Sequence, residues 1–231
     1  MSKAATQVPI LMFHSISEAG GPTSIAPTTF EAMMTLLAES DYYVVSLNEV
    51  AAWHRGKKNL PEKSMAITFD DGFVDFKDHA HPVLDRFGFP STLFVPTRKT
   101  GGEEDWYGGH DATRPLLDWP DLQILDKALV DIAPHGRHHV ALTSVEEGQQ
   151  REEIAGSKLD VEAKLNKHMG PTTASSTPPG KTQRKKMTTT LTWRLKMAWT
   201  RETLTKHQQW EFPTRLSLPM KTHGTTAYGH D

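Results

Sequence analysis

Two adjacent carboxylates end an apolar run in this chain: Met65, Ala66, Ile67, Thr68 and Phe69 lead directly into Asp70, Asp71 and Gly72. A strand that leaves the core on two acids and a glycine delivers charge at the end of a sheet. A turn at Gly72 then lets both acids enter one pocket. Two anions that close raise one pKa unless a cation sits between or beside them. Taken alone, the stretch reads equally well as an Asp-Asp-Gly turn between a strand and a helix. Further along, His135 and His139 stand four apart, a spacing that puts both imidazoles on one side of a helical turn or of an extended segment. Two imidazoles and one carboxylate suit Zn2+ or a similar borderline divalent ion, and three protein ligands leave a position for water. Such a histidine pair arises readily by chance in a chain with 12 histidines, and it gains weight only beside the Asp-Asp-Gly turn. In that setting one of Asp70 and Asp71 would ligate the ion, and the other would act as general base on water. A histidine near its neutral-pH pKa would serve as acid for a leaving amine. The chemistry is amide or ester hydrolysis without a covalent intermediate.

The elements that must position these groups alternate along the chain. Val8 to His14 is apolar up to its last residue and reads as a buried strand, with His14 pointing out at the strand end. By itself such a histidine is a hydrogen-bonded surface imidazole. Thr28-Thr29-Phe30-Glu31 forms a capping box, and Phe30, Met33, Met34 and Leu37 follow at helical spacing. Tyr42 to Leu47 and Met65 to Phe69 read as strands. Phe76, Ala80, Val83, Leu84 and Phe87 define a helix stopped by Gly88, with His79 and His81 off its apolar stripe and solvated. Thr92 to Val95 is a short strand, followed by a loop from Lys99 to Asp111 in which Trp106 and Tyr107 could stack on a sugar face. Trp119 to Lys127 reads as a helix and Leu129 to Ile132 as a strand. Ser144-Val145-Glu146-Glu147 forms a second capping box, opening a charged helix to about Leu165. Alternating strands and helices from residue 8 to 165 predict a parallel α/β sheet or barrel, whose functional groups gather at the carboxyl ends of the strands. His14, Asp70, Asp71, His135 and His139 all fall at such ends.

With 231 residues the chain suffices for one large domain or two small ones. It has no cysteine, which excludes disulfides, thiolate metal sites and a thiol nucleophile. Met1 to Gln7 lack a cationic start followed by an apolar core, and no run approaches the length of a membrane span, so the chain reads as soluble and, as written, cytoplasmic. Its net charge of -2 is unevenly spread: residues 1–165 carry 15 Lys+Arg against 25 Asp+Glu, whereas residues 166–231 carry 11 against 3. That second segment also holds 15 threonines in 66 residues and little apolar periodicity, a composition break that marks a boundary.

With these residues in place, the chain resembles the polysaccharide deacetylase family, also called the NodB-homology or carbohydrate esterase family 4 enzymes. The family's T-F-D-D-G motif stands intact at Thr68 to Gly72. Its H-[S/T]-x-x-H-P motif resembles His135 to Val140, with Gly136 in place of Ser/Thr and Val140 in place of Pro. The resemblance covers residues 8 to 165 and implies a distorted, incomplete (β/α) barrel. It further implies Asp70 as general base, with Asp71, His135 and His139 as ligands of a divalent metal, Zn2+ first and Co2+ or Ni2+ as alternatives. Pro9-Ile10-Leu11-Met12-Phe13-His14-Ser15 looks like the branch that includes poly-N-acetylglucosamine deacetylases, where a histidine at the end of the first strand is the general acid. His14 takes that role by resemblance. The implied activity is removal of N-acetyl groups from a polysaccharide or oligosaccharide of N-acetylhexosamine. Alternatives are a same-fold amidohydrolase acting on a small cyclic amide, and a non-catalytic remnant that binds metal or glycan. Members of this branch often act outside the cytoplasm.

The resemblance has departures. A third family motif, an arginine and a strand ending in aromatic-Pro-x-Gly, should follow Leu165. Gly170 to Lys181 keeps only Pro178 and Gly180 at matching places, and the fourth and fifth motifs are not located. Residues 166–231 thus read as an atypical basic, Thr-rich tail, either the product of a shifted reading frame or a degraded barrel end. Its basic cluster from Lys181 to Lys186 and its Trp193, Trp199 and Trp210 could engage a nucleic acid, but no recognisable module accompanies them and that partner is not expected. The expected partner is an N-acetylated glycan.

Overall fold

Strands buried on both faces read as unbroken apolar runs, and Ser64–Phe69, buried at all six positions, is the centre of the sheet. The computed structural model describes residues 5–106, 113–127 and 129–169. Tyr107, the third-motif candidate from Gly170 to Lys181, the basic cluster and the three tail tryptophans lie outside the described residues.

In chain order the elements are β1 (Ile10–Phe13), β2 (Ser15–Ile16), β3 (Ser24–Ile25), α1 (Pro27–Ala38), β4 (Tyr43–Val44), α2 (Leu47–His54) and β5 (Ser64–Phe69). A π-helical turn at Phe76–Ala80 then runs into α3 (His81–Phe87), followed by β6 (Ser91–Val95), α4 (Trp119–Leu125) and β7 (Val130–Pro134). A short turn of 3-10 helix at Leu142–Ser144 precedes α5 (Glu147–Arg151), which continues through a π-helical turn at Glu152–Gly156 into α6 (Ser157–Leu165). Among the described residues all pairs between these strands are parallel. The main sheet runs β1-β5-β6-β7, β4 pairs with the first residues of β5, and β2 and β3 form a separate ribbon. Among the described residues the sheet does not close, so the architecture is an open, partial (β/α) barrel.

Register brings the chemistry to one level. Phe13 pairs with Phe69, so His14 and Asp70 leave the sheet side by side, and Val95 pairs with Pro134, which places His135 at the same edge. Beneath them Phe13, Phe30, Phe69 and Phe76 pack ring on ring, with centroids 4.7–5.8 Å apart, and anchor both strand ends. Each such pair contributes about 1 kcal/mol beyond its area burial.

Several expectations are corrected at element boundaries. Helix α1 begins at Pro27, whose ring presets φ for the first position; the N-cap residue is then Ala26, which has no side-chain acceptor, and Thr28 and Thr29 sit inside the first turn. The run from Tyr42 to Leu47 is strand only at Tyr43–Val44. Ser46 instead caps α2, accepting from Glu49 N–H while Glu49 accepts from Ser46 N–H at 3.0 Å, a reciprocal capping box. The Ser144 hydroxyl turns back to donate to the Ala141 carbonyl at 2.7 Å, so α5 starts at Glu147 without that box. His79 is exposed as expected, but His81 is half-buried and its Nε2 is shielded without a hydrogen-bond partner among the described residues. Gly88 ends α3 in the left-handed conformation, as its position predicts. Met34 lies in the core and Met33 packs at its margin.

Candidate metal centre

The end of β5 shows how two neighbouring acids acquire different surroundings. Asp70 N–H still donates to the Phe13 carbonyl at 2.9 Å, extending the ladder by one residue. The backbone then enters the left-handed region twice, at Asp71 (φ 76) and Gly72 (φ 74). Gly72 is required there, since a Cβ would lie 2.8 Å from Val95 Cγ1. The turn leaves both carboxylates buried but separates their neighbours. Asp70 Oδ2 lies 3.8 Å from His14 Nε2, whereas Asp71 Oδ1 lies 3.2 Å from His135 Nε2 and 3.1 Å from His139 Nε2.

His135 is held as the sheet ends, its N–H donating to the Val95 carbonyl at 2.8 Å. The chain then turns through Gly136 (φ 80) and reaches His139, also left-handed at φ 57, with the two imidazoles edge to face at 5.0 Å. The indole of Trp106 lies over His139 at 4.0 Å between ring centroids. One ligand atom from each of Asp71, His135 and His139 falls within 4.8 Å of the other two.

This triplet fits a divalent ion. Asp71 Oδ1 is shielded from solvent and finds no hydrogen-bond partner of acceptable geometry among the described residues, despite two imidazole nitrogens at about 3 Å. Distances that short without hydrogen-bond alignment are those of donors that can share an ion. Burial pushes the Asp71 carboxyl up, but the nearness and charge of His135 and His139 more than offset it and hold the group well below the usual carboxylate range. Two borderline nitrogen donors and one carboxylate oxygen match the preferences of Zn2+ and its neighbours.

Around this centre lie residues for which the sequence offered little signal. Asp75 accepts from the Ser15 hydroxyl and from Ile16 N–H at 3.0 Å, fixing the segment that follows His14, and burial raises its pKa. Arg114 makes two parallel bonds to the buried Glu104, at 2.6 and 2.7 Å, and reaches Thr23 and Ser24 while its guanidinium lies 4.2 Å over the Phe73 ring. It thereby ties the β2–β3 ribbon to the residues after Gly72 and to the loop that carries Trp106. Glu153, on the π-helical turn before α6, accepts from the backbone between His135 and His139.

A fold with parallel strands feeding two acids and two histidines to one edge has counterparts among known proteins. The family model for polysaccharide deacetylase matches residues 57–198, and the chain belongs to the polysaccharide deacetylase family. It is 30% identical over 152 residues to YxkH of Bacillus subtilis (strain 168), a protein that carries a polysaccharide deacetylase name; the match takes in 66% of this chain and 50% of that protein. It is also 35% identical over 68 residues to the poly-beta-1,6-N-acetyl-D-glucosamine N-deacetylase of Escherichia coli (strain K12), 29% of this chain and 10% of the relative. The chain thus spans half or less of the length of these relatives. Among solved structures, IcaB from Ammonifex degensii superposes with a TM-score of 0.61 at 20% identity, covering 73% of this chain and 72% of that one. The Streptococcus pyogenes deacetylase PplD gives 0.59 at 22%, covering 72% and 71%. These likenesses establish the fold.

Proposed function

We propose that this chain is a metal-dependent hydrolase that removes N-acetyl groups from a polysaccharide or oligosaccharide of N-acetylhexosamine, with residues 8–165 as its catalytic domain. The observation that carries the proposal is the convergence of Asp71, His135 and His139 on one point, with the buried Asp70 beside them on the same turn. Names borne by relatives that act on poly-N-acetylglucosamine support the substrate class.

Asp71, His135 and His139 would hold the ion, Zn2+ first, with Co2+ or Ni2+ able to substitute. When bound, a divalent ion supplies Lewis acidity toward the amide carbonyl and lowers the pKa of water. The residues of the chain do the rest. Asp70, next in sequence to a ligand but turned to a different neighbour, takes the proton of the attacking water as general base. His14, a quarter exposed at the end of β1, faces the incoming substrate and returns a proton to the departing amine. Trp106, over His139, offers an apolar face to the sugar ring or its acetyl group.

Acetate release from poly-N-acetylglucosamine and chitin oligomers, with Zn2+ or Co2+ added, tests this. The wild-type chain should release acetate, Asp70→Asn should fall by about 100-fold or more, in line with loss of a general base, and His135→Ala should fall with it. Equal rates in all three proteins would end the proposal. Turnover confined to small cyclic amides would replace it with the amidohydrolase reading.

A further inference from the structure

The segment between the two histidines, Gly136-Arg137-His138, contains one left-handed residue and leads into another, and four of its backbone polar groups are tied down. Gly136 and Arg137 carbonyls accept from Thr97 and Arg98 N–H, at 3.0 and 2.9 Å. Arg137 and His138 N–H both donate to a single oxygen, Glu153 Oε2, at 2.6 and 2.9 Å, and the second carboxylate oxygen meets His138 Nδ1 at 2.7 Å. Glu153 is only 1% exposed, an unusual place for a carboxylate on a charged helix. Three local features make room for it. A Cβ on Gly136 would stand 3.1 Å from Glu153 Oε2. The widened helical turn at Glu152–Gly156 carries Glu153, and the absence of a side chain at Gly156 lets the Arg137 guanidinium lie across the helix, where a Cβ would come within 2.4 Å of Arg137 Cζ. Arg137 then pairs with Asp160 and Glu152 on the same helical stretch.

We infer that Glu153 is a positioning residue for the metal centre: its carboxylate fixes the His135–His139 segment so that both imidazoles are aimed before an ion arrives. The inference rests on the metal reading of the site given above. Glu153 accepts from the chain between the two ligands. It acts through the two N–H groups that set the path between them, and removing it would leave both without their acceptor in a turn that is buried at Gly136. Partners behind a ligand of this kind affect metal affinity as well as activity, typically by 10- to 100-fold.

The test uses the full chain stripped of metal and titrated with Co2+ alone, following the visible absorption of the bound ion and the affinity by competition with a chelator. Wild type should bind one Co2+, and His135→Ala should not bind at the site. Glu153→Ala should bind about 10- to 100-fold more weakly, while Glu153→Gln, whose amide oxygen can still accept from both N–H groups, should fall between the two. A merely structural role would lower thermal stability but leave the affinity and the Co2+ spectrum of the folded protein unchanged, and that result overturns the inference while the metal reading stands. Failure of the wild type to bind Co2+, or wild-type binding by His135→Ala, overturns the metal reading and this inference with it. Should Glu153→Ala not fold, by circular dichroism, Glu153→Asp carries the test: one methylene shorter, it should still weaken binding 10-fold or more, and unchanged affinity would overturn the inference.

Discussion

Gly72 is the residue on which the division between Asp70 and Asp71 turns. With φ at 74 and the Val95 methyl in the space a side chain would take, it meets two penalties on substitution: a left-handed backbone and an overpacked contact. Gly72→Ala should therefore lower stability by about 3 kcal/mol, seen as a lower denaturant midpoint with an unchanged slope; a shift within error would show that the turn relaxes freely. The acids and histidines of the candidate site were legible because each lies in a short local pattern, Thr68 to Gly72 or His135 to Val140. His14 needed only a strand end and the family likeness. Glu153, Arg114 and Asp75 were not legible, since each matters through a partner fixed by tertiary placement: Glu153 reads as part of the solvated face of a charged helix, and Arg114 lies in a loop. Gly136 stands out in the sequence only as a departure from a Ser/Thr position; the close approach of a carboxylate to it is set by tertiary placement.

At the scale of elements, the helical stretch from α5 to α6 acts as a brace for the loops after β6 and β7. Asp160 is its main attachment, accepting from Thr97 at 2.8 Å and from Arg137 at 2.9 and 3.0 Å. Burial pushes the Asp160 carboxyl up, but the hydrogen bonds from Arg137 and Thr97 and the Arg137 charge hold it below its ordinary 3.8; Glu153, also pushed up by burial but held by His138 and two backbone N–H groups, lies below its ordinary 4.5. A carboxylate whose folded pKa is lowered contributes stability above its unfolded pKa and loses it as pH falls through the folded value. The metal-free protein should thus lose stability from the ordinary carboxylate range downward, although Asp75, pushed up by burial, works in the opposite sense. Urea midpoints at pH 7 and pH 3.5 should show a smaller acid loss in Asp160→Asn than in wild type; equal losses would remove Asp160 from the account. Elements were legible where apolar period was long, as in β5 and in the helix from Phe76 to Phe87. They were misjudged at boundaries, where a proline at Pro27, a reciprocal cap at Ser46 and a back-bonded Ser144 each override a pattern that propensity alone favours.

For the molecule as a whole, an ion at Asp71, His135 and His139 would join the ends of β5 and β7 across the intervening β6. Zn2+ at about 100 times its dissociation constant should stabilise the fold by about 2.7 kcal/mol, raising the melting temperature; chelator should reverse the gain, and His135→Ala should show none. A wild-type melting temperature indifferent to Zn2+ would count against the site. The same strand order bears on how the molecule is assembled. Asp71 and His135 are more than sixty positions apart, and their ends meet only after three parallel strands, each joined to the next through a helix, have found their register. Such non-local pairing comes late in folding. An ion at the proposed site would therefore have nothing to seize in a growing or collapsing chain: it would clasp a finished sheet, lengthening the life of the folded protein without shortening the search that produces it.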